Sequence, residues 1–316
     1  MPLPLIDVKN LSKSFGKNRI LENLSMEVKP GEVFGLVGLN GAGKTTLIRL
    51  LLGVLRATEG TITVLNRNPW SHDAALHRRM GVVLENDGFC GNLTFYENMR
   101  IFGDAKRVRR KDFENYLEEH WRDTDIRASK KPVKYFSRGQ HVQCALCRAF
   151  LGWPDVYLLD EPVVALDVGA YDHFTKLVRH ASSRGAAFVV SSHQLDAIDE
   201  LCSDVGMLRN KTVSRLPKVS VGSDIAKPWE IGADYSETWG AIIEEVCGTP
   251  AAYEDHCWRF GVVSADETIP RLVKRLVEAG CAVRRVHPTG QSFSMAIKNE
   301  YLKKTASSGG QEDRHA

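Results

Sequence analysis

The chain has 316 residues, of which 43% are hydrophobic and 26% are charged, proportions that are ordinary for a globular protein. Its 42 basic and 39 acidic residues give a net charge of +3, which is too balanced to indicate a nucleic-acid partner. The apolar runs are far shorter than a membrane span, no signal-peptide pattern is present, and seven cysteines spread along the chain favour reduced thiols.

Short β-rich runs separated by turns occupy about the first 65 residues. Among them EVFGLVG, at residues 32–38, contains a short apolar run and predicts a strand buried on both faces. A glycine-rich turn then opens into an apolar helix, and residues 86–150 are predicted to be mostly helical. Two further buried strands and a helix between them are predicted at residues 155–162, 186–193 and 171–183. Strands that alternate with helices indicate an α/β fold with a parallel sheet.

The pattern changes after Arg215. Residues 216–227 have no period and are predicted to be a linker, whereas residues 228–302 have an order close to βαββαβ. That order predicts a small ferredoxin-like α+β domain, followed at residues 303–316 by a disordered tail. The basic residues of this domain are predicted to be solvated surface, namely Arg271, Lys274, Arg275, Arg284 and Arg285.

Residues 38–45, GLNGAGKT, match the P-loop pattern between a predicted strand and a predicted helix. Backbone amides of the loop and the N-terminus of the helix suit the phosphates of ATP. Lys44 is predicted to reach the β- and γ-phosphates, and Thr45 to offer its hydroxyl to Mg²⁺. The predicted nucleotide-binding residues here are Gly38, Leu39, Asn40, Gly41, Ala42, Gly43, Lys44, Thr45 and Thr46.

Two acids end the predicted strand at residues 155–162. Because strand side chains alternate, Asp160 is predicted to hold the Mg²⁺ shell while Glu161 faces the attacking water as a general base. His193 ends the next predicted strand and is predicted to hydrogen-bond the γ-phosphate. Lys44, Glu161 and His193 are therefore the predicted catalytic residues.

A second turn suited to a phosphate is FSRGQ, at residues 136–140. Ser137 is a good helix N-cap and Gly139 permits a tight turn, so backbone amides are free at this point. In the helix that follows, Cys144 and Cys147 form a lone CxxC, and we interpret them as small buried residues.

The order of the P-loop, FSRGQ, LLDEP, ALD and SSH, over about residues 4–215, resembles the nucleotide-binding domain of ABC transporters. The resemblance implies a P-loop NTPase core at residues 1–215, with an N-terminal antiparallel β region and a helical subdomain at about residues 86–152. It implies that Phe15 stacks on adenine, the alternative being a core phenylalanine. It also places Asp167 of ALD in a loop that communicates between two ATP sites.

In that family FSRGQ is the signature motif, and it covers the ATP of a second subunit. The resemblance therefore implies that Ser137, Gly139 and Gln140 contact nucleotide across a head-to-tail dimer, which we take to be a homodimer. Arg138 departs from the commonest glycine of the signature, and Val163 from a usual Thr or Ser.

The largest departure from the family pattern is Glu85, in GVVLEN, where the family usually has glutamine. A carboxylate is a hard oxygen ligand, so Glu85 is still predicted to contact Mg²⁺ and nucleotide. It also adds negative charge close to the phosphates.

By resemblance, the chain is the ATPase subunit of an ABC transporter, an exporter, at the cytoplasmic face of the cell membrane. It then drives an integral-membrane permease carried on a separate chain. The permease is predicted to dock on residues 86–97, through exposed Phe89, Phe95 and Tyr96; the alternative is that these aromatics only join two lobes.

The C-terminal unit resembles the accessory domain of bacterial exporter-type ATPases. Two other functions remain open from the sequence: a soluble ABC ATPase in assembly, repair or translation, and a module that senses ATP without turnover.

Overall fold

Two units make up the chain, residues 1–217 and 218–316. The computed structural model describes residues 3–84, 88–193, 195–216, 227–254, 256–262 and 265–288. Glu85 and the predicted tail at 303–316 therefore lie outside the described residues. No helix in the described ranges is long and apolar enough to cross a bilayer.

In the described part of the first unit, nine strands form two sheets. Their bounds are β1 Ile6–Phe15, β2 Asn18–Val28, β3 Val33–Val37, β4 Glu59–Val64, β5 Met80–Val83, β6 Val156–Asp160, β7 Ala187–Ser191, β8 Asp204–Arg209 and β9 Thr212–Leu216. One sheet is antiparallel, with the order β2-β1-β4. The other has the order β5-β6-β7-β3-β8-β9 and is parallel except for β9, which runs antiparallel to β8. The predicted α/β class with an antiparallel N-terminal region is thus confirmed.

Every residue of β3, β6 and β7 is buried, as expected for parallel strands with both faces covered. The apolar cluster around them joins the two sheets, and the first helix contributes Leu47, Ile48 and Leu51 to it. Because β3, β6 and β7 are neighbours and parallel, their carboxyl ends meet at one edge of the sheet. The strands β5, β8 and β9 were not predicted from the sequence.

The helices of the first unit are α1 Lys44–Leu51, α2 Ala74–Arg78, α3 Phe95–Lys106, α4 Arg110–Trp121, α5 Asp125–Ala128, α6 Arg138–Phe150, α7 Val168–Ser183 and α8 Leu195–Leu201. The first described helix of the predicted helical region is α3, which begins at Phe95 because Thr94 and Glu97 form a capping box there. Cys144 and Cys147 are fully buried in α6, which confirms their interpretation as small buried residues.

The prediction that Phe95 is exposed is wrong. Phe95 is fully buried, since α3 turns its first residue into the core of the helical region. Tyr96 is half-buried, and its hydroxyl donates to Glu114 at 2.5 Å. Phe89 is also half-buried, with its ring edge-to-face on Phe102 at 5.1 Å.

The second unit has the predicted βαββαβ order, with the bounds β10 Lys227–Gly232, α9 Glu237–Cys247, β11 Ala252–Glu254, β12 Cys257–Val262, α10 Ala265–Glu278 and β13 Arg285–Pro288. Its antiparallel sheet has the order β11-β12-β10-β13. Both ends of the predicted linker belong to strands, because β9 ends at Leu216 and β10 begins at Lys227.

The helices of this unit share an apolar core with one face of the sheet, around Trp258, Ile243 and Leu272. Its basic residues are ion-paired or bonded to backbone on the surface, as in Arg275 with Glu245 and Arg284 with Asp234.

Candidate nucleotide-binding site

The P-loop follows β3 and leads directly into α1. Gly43, the N-cap of α1, has φ 110°, a conformation that only glycine adopts without strain. It also provides no side-chain cap, so the first amides of α1 are available to an anion. The local sequence thus builds a phosphate-binding turn at the edge where β3, β6 and β7 end.

Lys44 lies inside this turn, with only 7% of its surface exposed. Its Nζ donates to the carbonyl oxygens of Gly38 and Leu39, at 2.8 and 3.4 Å. The lysine therefore curls back over the loop, and its amino group is held by carbonyl oxygens of the loop.

Asp160, the last residue of β6, is held by two hydroxyl groups. Thr45 Oγ1 donates to its Oδ2 at 2.6 Å, and Ser191 Oγ donates to its Oδ1 in a short hydrogen bond. The Thr45 hydroxyl and the Asp160 carboxylate are hard oxygen ligands, and their closeness fits a Mg²⁺ ion. This role of Ser191, the first residue of the SSH motif, was not predicted from the sequence.

Glu161 leaves the strand in a left-handed conformation, with φ 51°. Its amide donates to Ser191 Oγ at 3.0 Å, and its Oε2 lies 2.8 Å from His193 Nδ1. The two adjacent acids therefore have different environments: Asp160 is 9% exposed and fixed by hydroxyls, while the Glu161 side chain is 29% exposed and contacts a histidine. A partly exposed carboxylate oriented by a neighbour is suited to accept a proton from water.

Phe15 is 49% exposed, which excludes the alternative of a core phenylalanine. A cavity of about 330 Å³ extends from Phe15 along the P-loop to Lys44, Thr45 and Asp160. The aromatic ring and the phosphate-binding turn thus share one space, as stacking on adenine requires.

A second cavity, of about 680 Å³, lies beside Thr45, Glu161 and His193. Its other wall includes Arg138 and His141 from the first turns of α6. Arg138, which stands where the family most often has glycine, therefore adds a positive charge to the cavity that contains Glu161.

Ser137 begins α6 with a reciprocal capping box: its Oγ accepts from the Gln140 amide, and Gln140 Oε1 accepts from the Ser137 amide at 2.9 Å. A Cβ on Gly139 would lie 2.5 Å from the Ala165 carbonyl, so the turn packs directly on the ALD segment. Asp167 caps α7, with Oδ1 accepting from Ala170 N at 2.8 Å.

These signature and ALD residues line a separate groove of about 880 Å³, which neither Lys44 nor Asp160 lines. The P-loop cavity with Phe15, in turn, is lined by none of Ser137, Gly139 and Asp167. Within one chain, Ser137, Gly139 and Asp167 therefore share no cavity with Lys44, and Arg138 is the FSRGQ residue that lines a cavity together with Thr45.

Comparison with known proteins agrees with this geometry. Residues 21–164 match the family model described as ABC transporter. The bacitracin transport ATP-binding protein of Bacillus licheniformis is 32% identical, over 67% of this chain and 70% of its own length. The chain belongs to the ABC transporter ATP-binding family.

Further comparisons support the same membership. A Nod factor export ATP-binding protein of Burkholderia lata is 31% identical, over 76% of this chain and 78% of its own length. A solved ATP-binding subunit of an ABC transporter has a TM-score of 0.64 and 26% identity, over 67% of this chain and 89% of that one. This ABC protein is thus an ATP-binding and ATP-hydrolysing subunit of the kind that pairs with membrane permeases. A soluble ABC ATPase of assembly, repair or translation is not favoured.

Proposed function

We propose that this chain is the ATPase subunit of an exporter, hydrolysing ATP with Mg²⁺ at the cytoplasmic face of a membrane and driving a permease on another chain. The observation that carries the proposal is the cluster of Thr45, Asp160, Glu161 and His193 at the carboxyl ends of neighbouring strands. Export as the direction is supported by the Nod factor export relative.

Nucleotide binding is assigned to the P-loop cavity. Phe15 stacks on the base, the amides at the start of α1 bind the phosphates, and Lys44 moves from the loop carbonyls to the β- and γ-phosphates. Thr45 and Asp160 hold Mg²⁺, which supplies positive charge to the transferring phosphoryl group. Glu85, the next residue in the sequence after Leu84, is proposed to complete these oxygen ligands.

Hydrolysis is assigned to Glu161. Its Oε2 is fixed by His193, which orients Oε1 to accept the proton of the attacking water. The second ring nitrogen of His193 then faces the γ-phosphate. A base within hydrogen-bond reach of the water contributes about 10²–10⁴-fold to the rate.

The second subunit is proposed to be another copy of this chain. Because the signature groove and the P-loop cavity are separate within one chain, head-to-tail pairing is the arrangement that brings them together. Ser137, Gly139 and Gln140 of one copy then cover the ATP held by Lys44 of the other, with Asp167 beside them.

The permease is proposed to dock on the surface formed by Phe89 and α3. With Phe95 buried and Tyr96 engaged by Glu114, the large apolar side chain that α3 exposes is Ile101, at 49%. This surface follows β5 in the chain, and Val83 and Leu84 at the end of β5 line the cavity beside Thr45.

Purification from detergent-solubilised membranes of the organism that encodes the chain tests the function. We expect an integral membrane protein to co-purify with the tagged chain. Ile101→Asp should abolish this co-purification, while ATP hydrolysis by the chain alone persists. Val54→Asp is the matched control, since Val54 is similarly exposed, at 57%, but lies after α1. Hydrolysis without any membrane partner would favour a soluble ABC ATPase, and ATP binding without hydrolysis would favour a sensor.

A further inference from the structure

Arg148 links three parts of the first unit at one point. Its Nη2 donates to the carbonyl oxygen of Val82 in β5 at 3.0 Å. Its guanidinium carbon lies 5.7 Å from the ring centre of Phe89 and 5.2 Å from that of Phe102 in α3. Because Arg148 belongs to α6, the signature helix is joined here to the sheet, to the loop after β5 and to α3.

The contact between α6 and β5 is close. A Cβ on Gly81 would lie 2.5 Å from the Ala149 carbonyl oxygen, so the helix lies directly on the strand. Lys106, at the end of α3, donates to the Leu151 carbonyl at 3.0 Å and so binds the last turn of the helix. The C-terminal half of α6 is thereby fixed to the strand that leads into the nucleotide site.

Ser137 is at the other end of the same helix, about 16 Å from Arg148 along the axis at 1.5 Å per residue. A helix with a continuous hydrogen-bond ladder transmits a displacement of one end to the other. A small tilt about Arg148 is therefore expected to move the signature turn that faces a second copy of the chain.

Arginine suits this place better than other cations. Its planar group donates in the plane to a carbonyl and stacks on aromatic faces at the same time, whereas lysine presents a point charge. The two rings also meet each other edge-to-face at 5.1 Å, so the guanidinium has a defined orientation between them.

We propose that Arg148 is a positioning residue: it fixes α6 on β5 and on the Phe89–Phe102 pair, and so sets where Ser137 meets the nucleotide of a second copy of the chain. The proposal deepens the function proposed above and rests on its head-to-tail pairing.

The test uses the full chain in a Glu161→Gln background, which holds ATP without turnover. ATP affinity is measured on dilute protein, and dimerisation is measured by sedimentation with and without ATP. Arg148→Met should weaken ATP-dependent dimerisation about tenfold while the ATP affinity of the monomer stays within about twofold of the parent. Arg148→Lys should recover part of the loss, because it keeps the charge but not the plane.

Arg100→Met is the matched control. Arg100 also stacks on a ring, with its guanidinium carbon 5.4 Å from Phe113, but it lies in α3 and the acid it pairs with is Asp104 on the same helix. It should dimerise like the parent. Phe102→Leu removes one stacking face from Arg148 and should weaken dimerisation by about threefold, which keeps the test decisive if Arg148→Met fails to fold.

Parent-like dimerisation of both Arg148→Met and Phe102→Leu would overturn the proposal. The proposal would also be overturned if Arg148→Met weakened ATP binding by the monomer as much as it weakened dimerisation. The same holds if Arg100→Met weakened dimerisation as much as Arg148→Met, since Arg148 would then have only a general structural role. A parent that fails to dimerise with ATP would instead reject the pairing on which the proposal rests.

Discussion

At the scale of single residues, Asp160 and Glu161 show how one backbone turn separates two roles. Asp160 ends the strand and is held by Thr45 and Ser191. Glu161 takes a positive φ, which turns its carboxylate towards His193. A non-glycine residue at positive φ is uncommon, and here it occurs at the group that the chemistry needs exposed.

Glu161→Gln should lower kcat by at least about 10²-fold, because the amide cannot accept the proton of water. ATP binding should survive, since Lys44, Thr45 and Asp160 are untouched. Phosphate release and nucleotide binding measure the two effects separately. Glu59→Gln, at an exposed carboxylate paired with Arg19, should change neither, and near-normal turnover in Glu161→Gln would remove Glu161 from its assigned role.

His193→Ala should also lower kcat, by about tenfold or more, since the hydrogen bond that orients Glu161 is lost. His193→Asn should recover part of the rate if its amide donates to Glu161 in place of the imidazole. Single-turnover phosphate release compares the two variants. Equal rates in both would show that orientation of Glu161 is not what His193 contributes.

At the scale of elements, the side-chain amine of Lys106 joins α3 to α6. Lys106 donates to carbonyls at the C-terminal end of α6, where a positive charge complements the helix dipole. Burial of the amino group, together with the nearby charge of Arg148, nevertheless lowers the pKa of Lys106 to about 7. The folded chain therefore releases this proton far below the pH at which the unfolded chain does.

Lys106 should consequently make stability rise with pH. Between its folded pKa of about 7 and the ordinary lysine value of 10.5, the unfolded state binds one more proton than the folded state. The free energy of unfolding then increases by up to about 1.4 kcal/mol per pH unit from this group. Denaturation measures the free energy of unfolding of wild type and Lys106→Met at pH 7.5 and at pH 9. We expect the difference between the two proteins to grow in favour of wild type as the pH rises. A difference that is the same at both pH values would contradict the lowered pKa of Lys106.

At the scale of the whole molecule, Ser137, Gly139 and Asp167 share no cavity with Lys44 within one copy of the chain. The P-loop cavity is lined by Lys44 and Phe15, and the signature groove by Ser137 and Gly139. Head-to-tail pairing of two copies would complete two sites at once.

Lys44→Ala alone and Ser137→Arg alone should each be inactive, because every site in either homodimer is damaged. In a dimer of one Lys44→Ala copy and one Ser137→Arg copy, both substitutions fall in the same ATP site. The other ATP site combines an intact P-loop with an intact signature motif. Mixing the two variants should therefore restore ATP hydrolysis, to at most about one site per mixed dimer.

ATP-dependent dimerisation of the mixture is the control for this experiment. Recovered phosphate release supports pairing between copies. Full activity of Ser137→Arg by itself would reject the assignment of FSRGQ, since a bulky cation at Ser137 cannot preserve a tight phosphate contact.

The sequence alone determined the features that depend on neighbours along the chain. The P-loop, the buried strands β3 and β6 and the helix start at Ser137 were predictable, because strand burial, glycine turns and capping use residues a few positions apart. The short strand β5 was not identified as a strand, since four residues carry no clear period.

Only the tertiary structure decided which distant residues meet. Ser191 fixes Asp160 from 31 residues away, and Arg148 reaches Val82 across 66. Phe95 and Ile101 lie in the same helix, yet the packing of that helix buries the first and exposes the second. Such contacts depend on the order of strands in the sheet and on which helix packs against which strand, and neither can be predicted from the spacing of residues along the chain.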